Sequence, residues 1–556
     1  MTYCVSCGQA LAQAASFCTN CGAKALPSEA VSSVSSVSRS STVPAPILHA
    51  SAAARTAVSR TLFVLPTGFV RPFSALMDKH LASPLALVAD DNPVQLQSKV
   101  RLALKRFLAT GEAKYVCVLG NWADVPVFRV PNPCGRCLEE DPFCSTDALY
   151  GCVEPFDFED EEFIFSLLEA VPVGRIPSLD PDVVARALLE TPVALDPAHA
   201  FAFGVTAECW SMPTRAIVRL FTDTAAKANL VEEPQNRALA APGVLASPGW
   251  DADDLRHAVS QASMEPGAVL LFNVHGSPDE TGWFGQAGGP CEPRIMTPDT
   301  IQQFNGALLI SEACYGGALG YDEPSIVEQF FANGGKAFVG CSVIAWGTTN
   351  KYWGGDECLS GADLIALHFL KGLRQGLEFG GALKHAKTEV MCGDPDSDDI
   401  ARKSVMSFNL FGAPWHAMQA AAMAPVRPVR PEKTSLLDRV RSGRAGGSES
   451  PTAALDAIRQ RYRSRLPADY RRFFARQDEV LSQLTQFKDI DKIETFLSDM
   501  QVMLDDCELE TLDFGDEFFY RLSGKTPKKF IGPQLFMLVT DKHGQLIKTL
   551  TTKGTS

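Results

Sequence analysis

The sequence predicts an α/β fold, a mostly parallel sheet flanked by helices, preceded by a small Cys-rich module and followed by a small α+β domain. Three observations carry this expectation. From about residue 60 to residue 423, apolar runs of strand length alternate with helical patterns. Most of those runs are apolar throughout, as strands covered on both faces must be. Two stretches of linker composition, residues 25–58 and 425–451, separate this region from what comes before and after.

The expected strands are TLFVLPT (61–67), PLALVADD (84–91), YVCVLG (115–120), VLLFNVHG (269–276), ALLISEAC (307–314) and KAFVGCS (336–342). Between them, PVQLQSKVRLALKRFLATG and PSIVEQFFANGG read as helices, the second closing on a glycine pair suited to a C-cap. Beyond the second linker, residues 452–503 read as helical, and QLFMLVTDKHGQLIKTL reads as a hairpin turning at Lys542, His543 and Gly544.

These features divide the 556 residues into a head (1–24), a linker (25–58), two α/β subdomains (59–205 and 206–424), a second linker (425–451) and a tail (452–556). Hydrophobic residues make up 46% and charged residues 21%, and no apolar run approaches the roughly 18 to 20 residues of a membrane span. MTYCVSCGQA has no basic region leading into an apolar one, so the expected compartment is the cytoplasm. There the sixteen cysteines stay reduced, available for metal binding and catalysis. The net charge of −14 argues against general nucleic-acid coating. Residues 427–472, however, carry twelve Arg or Lys against five Asp or Glu, leaving a nucleic acid or an acidic protein as a possible contact for that stretch alone.

Cys4-x2-Cys7 and Cys18-x2-Cys21 are paired knuckles, each followed by glycine (Gly8, Gly22). Four soft ligands in this array select tetrahedral Zn²⁺ in a closed, structural site. The segment resembles the zinc ribbons common in bacterial proteins. Cys134, Cys137, Cys144 and Cys152 offer a weaker second zinc set, weighed against unrelated core and loop thiols. The DFEDEE run (157–162) has Ca²⁺-ligand chemistry but reads better as a solvated acidic face.

Two apolar strands each end on a reactive residue, VLLFNVHG on His275-Gly276 and ALLISEAC on Cys314. In parallel sheets the carboxyl edge is where active sites form. An imidazole beside a thiol there can take its proton and leave a nucleophilic thiolate. A strand closing on His-Gly followed by one closing on Ala-Cys resembles the pattern of caspases, gingipains, legumains, separases and CHAT-domain peptidases. The gingipain-like branch is resembled further through YVCVLGNWADVPV (115–127), STDALYG (145–151), PVGRIP (172–177), HGSPDETGWFG (275–285), SVIAWG (342–347) and FNLFGAP (408–414). Together these motifs span roughly residues 60–420.

The resemblance implies a caspase-like (caspase-hemoglobinase) fold and a cysteine endopeptidase acting on protein substrates. It makes His275 the general base and Cys314 the nucleophile, with the backbone N–H groups of Gly276 and Cys314 binding the oxyanion. Glu208 in VTAECW becomes the acidic partner of the histidine, and Trp346 in SVIAWG a wall of the specificity pocket. The acidic residue that selects arginine substrates is not evident in this chain. Arg215 is instead a candidate for holding an acidic side chain. The same resemblance suggests a bacterial stress or defence setting. Control is expected through an activating or sensor protein, or through cutting within residues 25–58 or 425–451. The competing readings are a non-catalytic zinc-ribbon scaffold and a nucleic-acid-binding regulator.

Overall fold

In a computed structural model, the chain divides into two compact units, Met1–Leu48 and His49–Ser556. The structure describes residues 52–80, 85–88, 93–109, 114–134, 141–153, 163–189, 202–219, 243–247, 252–264, 268–278, 281–286, 294–301, 304, 307–320, 323–350, 359–393 and 398–418. It also describes the backbone of 2–3, 10–11, 471–474, 507–513, 517–524, 535–541 and 546–552. In the first unit, Thr2–Tyr3 pairs antiparallel with Ala10–Leu11. Cys4, Cys7, Cys18 and Cys21 lie outside the described residues, as do both linkers and the acidic run 157–162.

The second unit is built on a ten-stranded sheet. Its strands are β1 (Thr61–Leu65), β2 (Leu85–Val88), β3 (Tyr115–Leu119), β4 (Val173–Ile176), β5 (Ala202–Ala207), β6 (Gly243–Ser247), β7 (Val269–Asn273), β8 (Leu308–Ser311), β9 (Ala337–Cys341) and β10 (Phe408–Gly412). Their spatial order is β6-β5-β7-β8-β9-β10-β4-β3-β1-β2. Only the β9–β10 pair is antiparallel; every other neighbouring pair is parallel. Two parallel halves therefore meet head to tail at β9–β10, and the carboxyl ends of β5 to β9 share one edge.

Full burial explains why the central strands lack alternation. Every residue of β1, β3, β7, β8, β9 and β10 is buried. On one face, Leu62, Val64, Val116 and Val118 join Leu96, Val100 and Leu104 of helix Pro93–Ala109 and residues of helices Ala362–Arg374 and Phe379–Gly393. On the other face, Phe63 packs on Phe73 of helix Val70–His80 at 5.0 Å between ring centres, and Phe338 packs on Phe330 of helix Ile326–Ala332 at 5.7 Å. Ser325 and Glu328 form a capping box that starts the latter helix.

The half-sheet β10-β4-β3-β1-β2 is braced by a buried ion pair. Arg175 of β4 donates to both carboxylate oxygens of Asp147, at 2.7 and 2.6 Å, and to the carbonyls of Gly120, Asn121 and Val125. Asp147 N–H in turn donates to Asn409 Oδ1 of β10 at 2.9 Å. Burial alone would lower the Arg175 pKa, but the Asp147 charge and hydrogen bonds outweigh it and hold it above its ordinary value. Three of the segments quoted above, around residues 120, 147 and 175, thus meet at one guanidinium, and a fourth, around residue 409, holds Asp147.

The tail hairpin forms as expected, with Leu535–Asp541 antiparallel to Leu546–Thr552. The helical expectation for 452–503 fails at Arg471–Phe474, which is a strand antiparallel to Cys507–Asp513. Pairing with a distant strand overrides the local pattern there; the remainder of 452–503 lies outside the described residues. The tail strands form a sheet with Trp346–Thr348 as its outermost member, in the order Trp346–Thr348, Leu546–Thr552, Leu535–Asp541, Glu517–Gly524, Cys507–Asp513, Arg471–Phe474. Among the described residues, no helix is long and apolar enough to cross a membrane.

Candidate active site

β7 and β8 are neighbours in register, Val269 facing Leu308 and Phe272 facing Ser311. Glu312 N–H continues the ladder by donating to Phe272 O at 2.8 Å. Past the end of this pairing the two chains stay together, the residue after His275 meeting the Cys314 backbone. The contact is close: a Cβ added to Gly276 would lie 1.9 Å from the Cys314 carbonyl oxygen. Glycine is what lets the two backbones meet. Neither residue is the last of its strand, as the sequence suggested. β7 stops at Asn273, and His275-Gly276 opens a small antiparallel sheet with Trp283–Phe284 and Arg294–Met296. Cys314 sits in the turn after β8.

Both side chains are buried, His275 at 0% and Cys314 at 1% exposure. The imidazole packs against the indole of Trp210, ring centres 4.7 Å apart. Ala345 N–H donates to Cys314 Sγ at 3.1 Å, and the thiol faces the Ala345 carbonyl at 3.7 Å. Tyr315, directly after the nucleophile candidate, adopts φ of 55°, the only positive-φ non-glycine among the described residues. For a bulky side chain this is a strained conformation that its surroundings must impose. Tyr315 N–H donates to Val343 O at 2.9 Å, and its hydroxyl donates to Asp141 Oδ2 at 2.6 Å. The same Asp141 oxygen accepts Ile344 N–H at 3.4 Å. Asp141 thereby ties the turn carrying Cys314 to the loop carrying Ala345. Beside the thiol, a small cleft is lined by Ser277, Trp283, Tyr315, Gly316 and Ser325 among others.

Glu208 follows β5 in a short 3₁₀ turn, Glu208–Trp210, on the same sheet edge. Its side chain is exposed and accepts from Ser211 Oγ at 3.3 Å. Trp210 of that turn is the residue against the imidazole. The turn is clamped to the segment after Trp346–Thr348 by Asn350, whose N–H donates to Cys209 O at 2.7 Å. Asn350 Oδ1 accepts Met212 N–H at 2.7 Å, and its Nδ2 donates to Ser211 Oγ at 3.0 Å and to Glu208 O. Trp346 is buried at 1% exposure, and Arg215 is half-buried on helix Ser211–Val218. Among the described residues, Trp346 Nε1 and Arg215 Nε make no hydrogen bond.

Among the described residues, no group of three or more His, Cys, Asp or Glu is arranged to hold a metal ion. Cys134, Cys144 and Cys152 are each buried, the Cys152 thiol lying 3.2 Å from the Ser166 carbonyl; Cys137 lies outside the described residues. Cys117, read as a packing thiol, is fully buried in β3, and burial raises its pKa despite the nearby Arg175 charge.

Trp210, Asp141, Tyr315 and Asn350 were not singled out in the sequence. The nearest hint is Trp210, two residues past Glu208. Nothing local marks Asp141, which reaches Tyr315 across 174 residues.

No protein-family model matches the chain, and no curated protein matches it. Among solved structures it is similar to the Arg-specific cysteine proteinase gingipain R, with 12% identity and a TM-score of 0.43 over 89% of this chain and 91% of that one. It is also similar to a protease, with 13% identity and a TM-score of 0.41 over 64% of this chain and 78% of that one.

Proposed function

We propose that this chain is a cysteine endopeptidase of the caspase and gingipain type, with His275 as general base and Cys314 as nucleophile. The observation that supports it best is the close packing of Gly276, next to His275, against the Cys314 carbonyl at the end of the paired strands β7 and β8. In the reaction, the imidazole takes the Cys314 proton and the thiolate attacks the peptide carbonyl carbon. The resulting oxyanion is held by backbone N–H groups at Gly276 and Cys314. Collapse of the tetrahedral intermediate breaks the C–N bond, and the imidazolium returns its proton to the leaving amine. Water, deprotonated by the same imidazole, then hydrolyses the thioester.

Several finer parts belong to the same proposal. Glu208 acts from the Trp210 turn on the histidine side, and Trp346 and Arg215 shape specificity. The four head cysteines hold a structural Zn²⁺. An activating partner, or cutting in residues 25–58 or 425–451, controls the enzyme in the cytoplasm. The test compares wild-type protein with Cys314→Ala and His275→Ala in a proteome-wide cleavage assay that includes candidate activators. Fragments present only with wild type are expected. Identical fragments from wild type and Cys314→Ala would end the peptidase reading.

A further inference from the structure

Trp346–Thr348 begins at the residue after Ala345, whose peptide N–H contacts Cys314 Sγ at 3.1 Å. This strand is an outer strand of the tail sheet, and the strand it pairs with is the C-terminal one, Leu546–Thr552. The pairing is antiparallel, with Thr348 opposite Leu550, Gly347 opposite Thr551 and Trp346 opposite Thr552. From Leu550 to Thr552 the chain therefore runs toward Ala345 and the thiol. On its other side the C-terminal strand is held in register by Leu535–Asp541.

A peptidase must bind an extended stretch of substrate main chain next to its nucleophile. The edge of a short strand beginning one residue from the thiol contact is the surface on which such a stretch can add as a further strand, its main-chain hydrogen bonds supplying affinity. That edge takes one strand at a time. We infer that the C-terminal strand Leu546–Thr552 is a built-in competitor. It occupies the peptide-binding edge beside Cys314, and substrate enters only when it leaves. The inference rests on the peptidase reading above and names the regulation of that same site. The partner this edge fits is an extended peptide running antiparallel to Trp346–Thr348. Because the competitor belongs to the same chain, it acts at an effective concentration on the order of millimolar. Weak pairing of a few residues therefore suffices to raise the apparent KM for peptides.

Hydrogen exchange on the full wild-type chain, with and without a peptidyl acyloxymethyl ketone that alkylates Cys314, tests this. The ketone is built on the best substrate from a fluorogenic peptide library. Amides of 546–552 are expected to exchange at least tenfold faster once the ketone is attached. In parallel, Leu550→Pro in the full chain breaks the ladder, because proline cannot donate. It should lower KM at least tenfold, with kcat within about twofold of wild type. Labelling of Cys314 with unchanged protection of 546–552 overturns the inference and leaves the peptidase reading standing, as does a folded Leu550→Pro variant with unaltered KM. If neither protein cleaves any library peptide and neither is alkylated at Cys314, both readings fall together.

Discussion

Replacing Gly276 by alanine probes whether the His275 and Cys314 backbones meet as closely as described. The added Cβ would lie 1.9 Å from the Cys314 carbonyl oxygen and 3.0 Å from its carbonyl carbon, whereas ordinary contact begins at 3.4 Å. The obstacle is backbone, so no side-chain rotation relieves it, and the two segments must separate by about 1.5 Å. Overpacking of this kind costs about 1–3 kcal/mol of stability. The larger effect falls on chemistry, because a displacement of about 1 Å in reacting groups can cost on the order of a hundredfold. Hydrolysis of the best library peptide should lose at least a hundredfold in kcat/KM, and the rate of Cys314 alkylation should fall with it. Circular dichroism and a urea titration check that the variant is folded. A folded Gly276→Ala protein within about threefold of wild-type kcat/KM would refute the juxtaposition.

Asp141→Ala removes the bridge between the Cys314 turn and the Ala345 loop; kcat/KM should fall about tenfold, since a hydrogen bond to a charged group contributes roughly 1.5–3 kcal/mol, and Tyr315→Phe should reproduce part of that loss. Arg175→Met leaves Asp147 buried without its partner and should lower unfolding free energy by about 3–5 kcal/mol in urea titrations. His416, whose pKa burial and then the Lys336 charge lower to about 3, stays neutral in the fold while the unfolded chain protonates it near pH 6.5. Stability from this group is therefore complete above about pH 6.5 and lost as pH falls toward 3, by up to about 1.4 kcal/mol per pH unit; urea midpoints across that range should show a shallower slope for His416→Gln.

The sequence by itself determined the elements and the chemistry-bearing residues. Residues apolar throughout, as in β1, β3, β7 and β8, can be accommodated only where both faces are covered, so those strands were legible without neighbours. The spacing from His275 to Cys314 was legible too, and it is the same offset that relates Val269 to Leu308 in the β7–β8 register. β4, β5, β6 and β10 were not among the expected strands, because VGRI, AFGVTA, GVLAS and FNLFG break the apolar run with small or polar residues. Tertiary structure alone decided which segments meet. Arg175 finds Asp147 only where β3, β4 and β10 come together. Asp141 and Asn350 act across 174 and 139 residues, separations over which local sequence carries no signal. The C-terminal hairpin was readable, but its place on the edge beside Cys314 was not. Strand pairing is made by backbone N–H and C=O groups that every residue carries, so the choice of partner depends on which edge the fold leaves open.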